Sequence, residues 1–241
     1  MKLSRMAVVS VLGITTFVGA SQSIFAATDG VPSVGNSDAS ITFLEGTGPI
    51  SPVDPEKPTD PLNPTDPSNP TDPPTGNTGA LTLDYVSSVD FGSHNISSST
   101  QVYSSKSKKP FIQVSDFRGT GAGWTVTAKA SNFSSDGGTT ASLPGAVLTF
   151  KNGAVISPDV SDAPIPEQTV TLNADGTASS KVVSAKPGTG KFTWLTKWFG
   201  VTPNDVNSLN DNVTLTIPAG AASVGAHEAT VTWTLTDAPG Q

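Results

Sequence analysis

From residue 80 onward, apolar and small polar residues alternate in short runs. Gly, Asn, Asp, Ser or Pro interrupts each run before it reaches the length of a helix. A strand places residues i and i+2 on one face, so Trp124 pairs with Val126, and Trp233 pairs with Leu235 with Val231 extending that face. Threonines interleave them, as suits an antiparallel sheet with one solvated face. Nine runs read as strands: 80–86, 111–117, 123–130, 145–151, 168–173, 179–185, 191–199, 212–219 and 227–236. Their spacing and punctuation predict an all-β domain, an antiparallel β-sandwich or barrel-like fold over 80–241. Only 202–208 and 208–212 offer a single helical turn. A domain of about 160 residues buries enough surface to stand without covalent staples, and the chain has no cysteine to supply one.

The stretch 191–199 concentrates Phe192, Trp194, Trp198 and Phe199 between Lys191 and Lys197, beside Gly188 and Gly190. Two readings are open. The tryptophans fill the core, as large aromatics do in sandwiches, or they form a platform with adjacent cations that meets sugar rings or an anionic polymer. The same choice applies to Trp124, Val126, Trp233 and Leu235. Lys106, Lys108 and Lys109 join Lys191 and Lys197 as cations available to an anionic polymer.

Upstream of the strands the composition changes. Lys2 and Arg5 precede an apolar run ending near Ala20, which reads as a signal peptide over 1–27 and is too short for a comfortable membrane span. Apart from it, the sequence has no apolar run that would give the mature chain a stable span. Residues 28–47 hold one candidate strand at 40–45, SITFLE. Proline then falls at 49, 52, 55, 58, 61, 64, 67, 70 and 73. A three-residue period stacks the rings along one face of a polyproline II helix, whose residues lack the N–H for a ladder. Segment 48–79 is therefore expected to be a semi-rigid stalk, separate from the domain.

Charge narrows the partners. The formal net charge is −7. Residues 28–80 carry eight acids against Lys57 alone, while 81–241 carry twelve acids and ten bases. Nucleic acid is excluded as a partner, because a phosphate-binding surface needs clustered Lys and Arg. A secreted chain of this size without cysteines fits a Gram-positive surface.

Catalytic signals are sparse. His94 sits in a Ser-rich stretch and His227 opens the last strand, and no G-x-S-x-G occurs. Asp159, Asp162 and Glu167 fall in a Pro-rich stretch that reads as a solvated turn rather than paired acids in a cleft. No cofactor or metal site is expected from two distant histidines without cysteines.

Several segments in order resemble one family. WTLTDAP, with Trp233-Thr234-Leu235, is similar to the distal motif of the WxL domain family of Gram-positive surface proteins. GWTVTA resembles its proximal motif, with Val126 where the family has Leu. LDYVSSVDFG, LTFKNG, the stretch 213–239, and SDASITFLEGTG before an Asp-Pro-rich linker also match in order. The resemblance implies an all-β domain with no catalytic role, attached non-covalently to the cell wall through peptidoglycan or associated polymers. It also implies assembly with other surface proteins. A protein–protein module and a carbohydrate-binding adhesin are the alternative functions.

Overall fold

The computed structural model describes residues 34–63, 70–135, 140–159, 161–205 and 207–239, so the expected signal peptide lies outside the described residues. Two compact units divide the chain, Met1–Phe43 and Leu44–Gln241. Within the first, 34–43 are exposed and form no strand.

Among the described residues, the second unit contains fourteen strands. They are β1 (Leu81–Val86), β2 (Gln101–Ser105), β3 (Phe111–Asp116), β4 (Trp124–Ala130), β5 (Phe133–Ser134), β6 (Ala141–Ser142) and β7 (Val147–Lys151). There follow β8 (Ala154–Ile156), β9 (Ile165–Pro166), β10 (Thr169–Asn173), β11 (Ser180–Ala185), β12 (Phe192–Lys197), β13 (Asn210–Ile217) and β14 (Val231–Thr236). All pairings are antiparallel. Three four-stranded sheets run β1-β3-β12-β8, β10-β7-β13-β2 and β14-β4-β11-β9, and β5-β6 form a ribbon. Each of the nine expected runs contains a strand. The short β2, β5, β6, β8 and β9 were not expected. Asn152, at φ 55°, turns the chain between β7 in one sheet and β8 in another. Residues 202–205 and 207–208 show turns instead of a helix, with Asp205 N–H donating to Thr202 O and Ser208 N–H to Asp205 O.

The main core lies where the inward faces of the three sheets meet, and contains Trp124, Val126, Phe150, Leu172, Val183 and Trp198 among others. A second, smaller core joins Tyr85, Phe111 and Leu195 to Val53, Leu62 and Ile156. Tyr85 and Phe111 stack at 4.6 Å.

This second core corrects the stalk. Residues 51–62 lie against the β1-β3-β12 sheet. Pro55 and Pro58 are buried, and Val53 bridges to Pro61. Val53 N–H donates to Gln113 Oε1 at 2.9 Å, and Gln113 Nε2 donates to Ser51 O at 3.2 Å. Lys109 Nζ meets Glu56 at 2.7 Å, and Lys197 Nζ donates to Pro55 O at 3.2 Å. Farther on, Thr75 N–H donates to Asp84 O and Asp72 accepts from Ser88 N–H. Proline forfeits its own donor but keeps its carbonyl and an apolar ring. The residues between prolines keep both backbone groups, so buried side chains such as Gln113 supply the partners that a ladder would have given.

Two further expectations change. The segment 40–45 is not a strand, and beyond it the chain is tied down where Gly46 N–H donates to Phe117 O. The terminal strand β14, which the resemblance makes a candidate central strand beside the Trp124 strand, pairs with β4 but is the edge strand.

Candidate functional site

Trp124 sits on an interior strand and is 1% exposed. Its indole Nε1 donates to Gly190 O at 2.8 Å. Gly190 has φ 70°, and a Cβ there would fall 2.9 Å from that same nitrogen and 2.5 Å from Ala185 Cβ. Gly190 is thus the seat on which the ring rests, and any side chain would unseat it. Val126 is fully buried beside it on the same face.

Trp233 and Leu235 face the same core from the edge and are only partly buried. Trp233 packs edge-on against Phe150 at 5.8 Å and tilted against Trp198 at 5.9 Å, and those two rings lie 5.0 Å apart. These separations fall within the range of favourable aromatic pairs. Trp198 is 1% exposed, and Trp194 is 7% exposed with its indole N–H donating to Lys191 O and Ser161 Oγ. Four of the six candidate residues, Trp124, Val126, Trp194 and Trp198, therefore present almost no surface to a ligand. Trp233 and Leu235 line a hollow of about 590 Å³ with residues 76–78 and 81–83.

The candidate cations divide similarly. Lys109 is 1% exposed and ion-paired with Glu56, and Lys108 is 8% exposed. Lys197 lies 4.7 Å from the centre of the Phe199 ring, and burial holds its ammonium below the ordinary lysine range. Lys191 is half-buried. Lys106 keeps its side chain 58% exposed, 3.9 Å from Asp90. Of the five lysines, Lys109 and Lys197 are engaged by the Pro-rich arm, through Glu56 and Pro55 O.

A larger cleft, about 850 Å³, opens between loop 88–96, the ends of β2, β7 and β13, and loop 222–231. Its walls include Phe91, Ile96, Tyr103, Phe133 and Leu148, with Asp90, Ser93, Asn95, Ser223 and Glu228 among its polar groups. It also brings together the two histidines. His94 stacks on Tyr103 at 4.0 Å and contacts Phe91 O through Nε2 at 2.7 Å. His227 meets Ser142 Oγ through Nδ1 at 2.8 Å and Ser223 O through Nε2 at 2.9 Å. A carbonyl can only accept, so in the neutral ring Nε2 donates to Ser223 O and Nδ1 accepts from the Ser142 hydroxyl. That pairing joins loop 222–231 to the β5-β6 ribbon, with a carbonyl where a hydrolytic triad has a carboxylate.

Sequence reasoning passed over two buried carboxylates. Asp84 is 2% exposed and accepts from Thr82 Oγ1 at 2.5 Å, Ser115 Oγ at 2.6 Å and Gln113 Nε2 at 3.1 Å. Burial nevertheless raises its carboxyl above the ordinary range, outweighing those three donors. Asp116 is held by Arg118, whose Nε and Nη2 donate to its two oxygens at 2.9 and 2.7 Å. The available signal was an Asp inside each strand run, since Asp is depleted from strands. Among the described residues, no cluster of three or more metal-ligating acidic or imidazole side chains occurs, and no helix is long and apolar enough to cross a membrane.

The described unit is all-β, with its four tryptophans packed into one core with residues of all three sheets, an open cleft, and a Pro-rich arm folded onto one sheet. A family profile described as WxL domain surface cell wall-binding matches residues 31–239, nearly the whole chain. The chain belongs to this family, which gives the protein a place at the cell surface, associated with the cell wall. No curated protein and no solved structure matches it.

Proposed function

We propose that the protein is a non-catalytic surface protein that attaches non-covalently to the Gram-positive wall, through peptidoglycan, by its C-terminal β domain. The observation that carries this reading is the wall-binding family match across the whole domain. The contact face we favour is the 850 Å³ cleft, where apolar walls, the stacked His94–Tyr103 pair and several polar groups converge. The buried tryptophans then act at one remove, by holding the sheets that shape it. Burial of Trp194 and Trp198 removes the ring faces that a sugar-stacking adhesin would use.

The test is retention of the secreted chain on purified peptidoglycan, compared with wall that still carries its accessory polymers. Enrichment on bare peptidoglycan, lost on Tyr103→Ala and Ile96→Asp, supports the proposal. Binding only to polymer-bearing wall shifts the ligand, and no enrichment on either defeats it. The fragment 80–241 alone is a poor probe, because it lacks Val53 and Leu62 and uncovers the second core.

A second reading, a module that binds other proteins, is favoured by the outer edge of β14.

A further inference from the structure

We propose that residues 40–44 serve as an exchanged strand, pairing with the outer edge of β14 in a second copy of the chain, each copy giving and receiving one strand. The proposal rests on a separate observation from wall attachment and stands or falls without it.

Among the described residues, the acceptor edge of β14 has no strand paired to it. Ser131 N–H donates to Thr230 O at 2.8 Å, which makes that couple a hydrogen-bonded pair. Alternation along an antiparallel ladder then turns the backbone groups of Thr232, Thr234 and Thr236 toward β4 and those of Val231, Trp233 and Leu235 outward. Natural edge strands are usually blunted by a charge, a proline, a bulge or a cover. β14 carries no charge or proline, and its six pairs with β4 run without a register shift. The edge of β1 shows what a cover looks like, since Leu83 O accepts from Thr75 Oγ1 at 2.6 Å and Asn77 Nδ2 at 2.9 Å.

The donor is a strand pattern without a sheet. Ile41 and Phe43 are 78% and 85% exposed, and Leu44 is 89% exposed. In an extended chain Ile41 and Phe43 share one face, with Thr42 on the other. Added to β14, that face falls on the side of Trp233 and Leu235. There the 590 Å³ hollow, floored also by Leu81 and Leu83, takes the Ile41 and Phe43 side chains. Backbone pairing gives affinity and the hollow gives register, as in recognition by strand addition.

Charge and area select the occupant. The chain carries a net charge of −7, yet SITFL and VTWTLT are both uncharged, so two copies meet where their repulsion is least. One five-residue strand buries less than the about 1,200 Å² at which stable interfaces begin. Reciprocal exchange doubles the area and closes a two-fold dimer. The family match begins at residue 31, so the donor belongs to the same family unit as the acceptor.

The absence of cysteine makes the test clean. Thr42→Cys is mixed with Thr232→Cys or Thr234→Cys under mild oxidation. A disulfide-linked heterodimer in the mixtures, and not with a Ser99→Cys control, supports exchange. The Thr42→Cys/Thr234→Cys double variant should give a doubly linked dimer, and a monomer with an internal disulfide overturns the second-copy occupant. Sedimentation of the unmodified chain should show a dimer. Ile41→Asp with Phe43→Asp should weaken it at least about tenfold. Val231→Pro should do the same from the other side, since it replaces an outward N–H. Thermal unfolding of the monomer, measured alongside, should be unchanged in the donor variant. A chain that stays monomeric, or a dimer indifferent to both variants, defeats the proposal.

Discussion

β4 and β14 carry nearly the same words, Trp-Thr-Val and Trp-Thr-Leu, and they lie side by side. Leu235 is opposite Val126, and Thr236 is opposite Thr125. Yet Trp124 and Val126 are 1% and 0% exposed, while Trp233 and Leu235 remain partly open. The cause is position in the sheet. β4 is flanked by β14 and β11, whereas β14 has a neighbour on one side only. The i, i+2 pattern decides which face a side chain takes, and the order of strands decides how deeply that face is covered.

The comparison can be broken by mutation. Trp124→Ala should cost about 3–5 kcal/mol in chemical denaturation, because the cavity lies deep and the Gly190 carbonyl loses its donor. Trp233→Ala should cost roughly half that, about 2 kcal/mol, since its ring is already partly solvated and the neighbouring Phe150 and Trp198 can relax toward the opening. Equal losses would mean that edge and interior tryptophans do the same work, and the contrast drawn here would be wrong.

Exchanging the third residues sharpens the point. Val126→Leu places an extra methylene in a fully buried site and should cost about 1–3 kcal/mol. Leu235→Val at the edge should cost less, about 1 kcal/mol. A family-like leucine that stabilised position 126 would show that the interior site is underfilled. The smallest effect is expected at Thr234→Lys on the exposed face of β14, within about 0.5 kcal/mol by thermal unfolding.

Asp84 tests the same idea on β1, another edge strand, through pH. Its carboxyl is raised in the folded chain, so the folded state holds the proton more firmly than the unfolded one. The stability it contributes is full below the ordinary carboxylate range of about 4 and is lost as pH rises through the raised folded value. Thermal scans of the native chain and Asp84→Asn should show the native chain losing ground to the variant as pH rises above the ordinary carboxylate value of about 4. A difference independent of pH would contradict the burial.

Much of the strand inventory was legible because period-two alternation and turn residues are local. Each of the runs around Tyr85, Val114, Trp124, Leu148, Leu172, Val183, Trp194, Leu215 and Trp233 contains a strand. β2 was not legible, since in QVYSS the valine points outward and Tyr103 alone gives the inward face an apolar residue, too little for a period-two pattern. The proline arm misled for a physical reason. Lack of N–H donors speaks against a ladder, but the burial of Pro55 and Pro58 depends on what Tyr85, Phe111 and Leu195 offer from elsewhere in the chain. Of the candidate site residues, the sequence correctly paired faces, as with Trp233 and Leu235. It could not tell a buried indole from an exposed one, nor bring His94 and His227 into one cleft.

By itself, then, the sequence determined the all-β class, the shared face of Trp124 with Val126 and of Trp233 with Leu235, the family and the uncharged character of both SITFL and VTWTLT. These follow from residue spacing and composition, which act over a few residues. The tertiary structure alone decided that β14 is an edge, that Lys109 and Trp198 are buried, and that part of the Pro-rich arm is packed onto a sheet. Exposure depends on neighbours distant in the chain, and no local pattern encodes which of them will arrive.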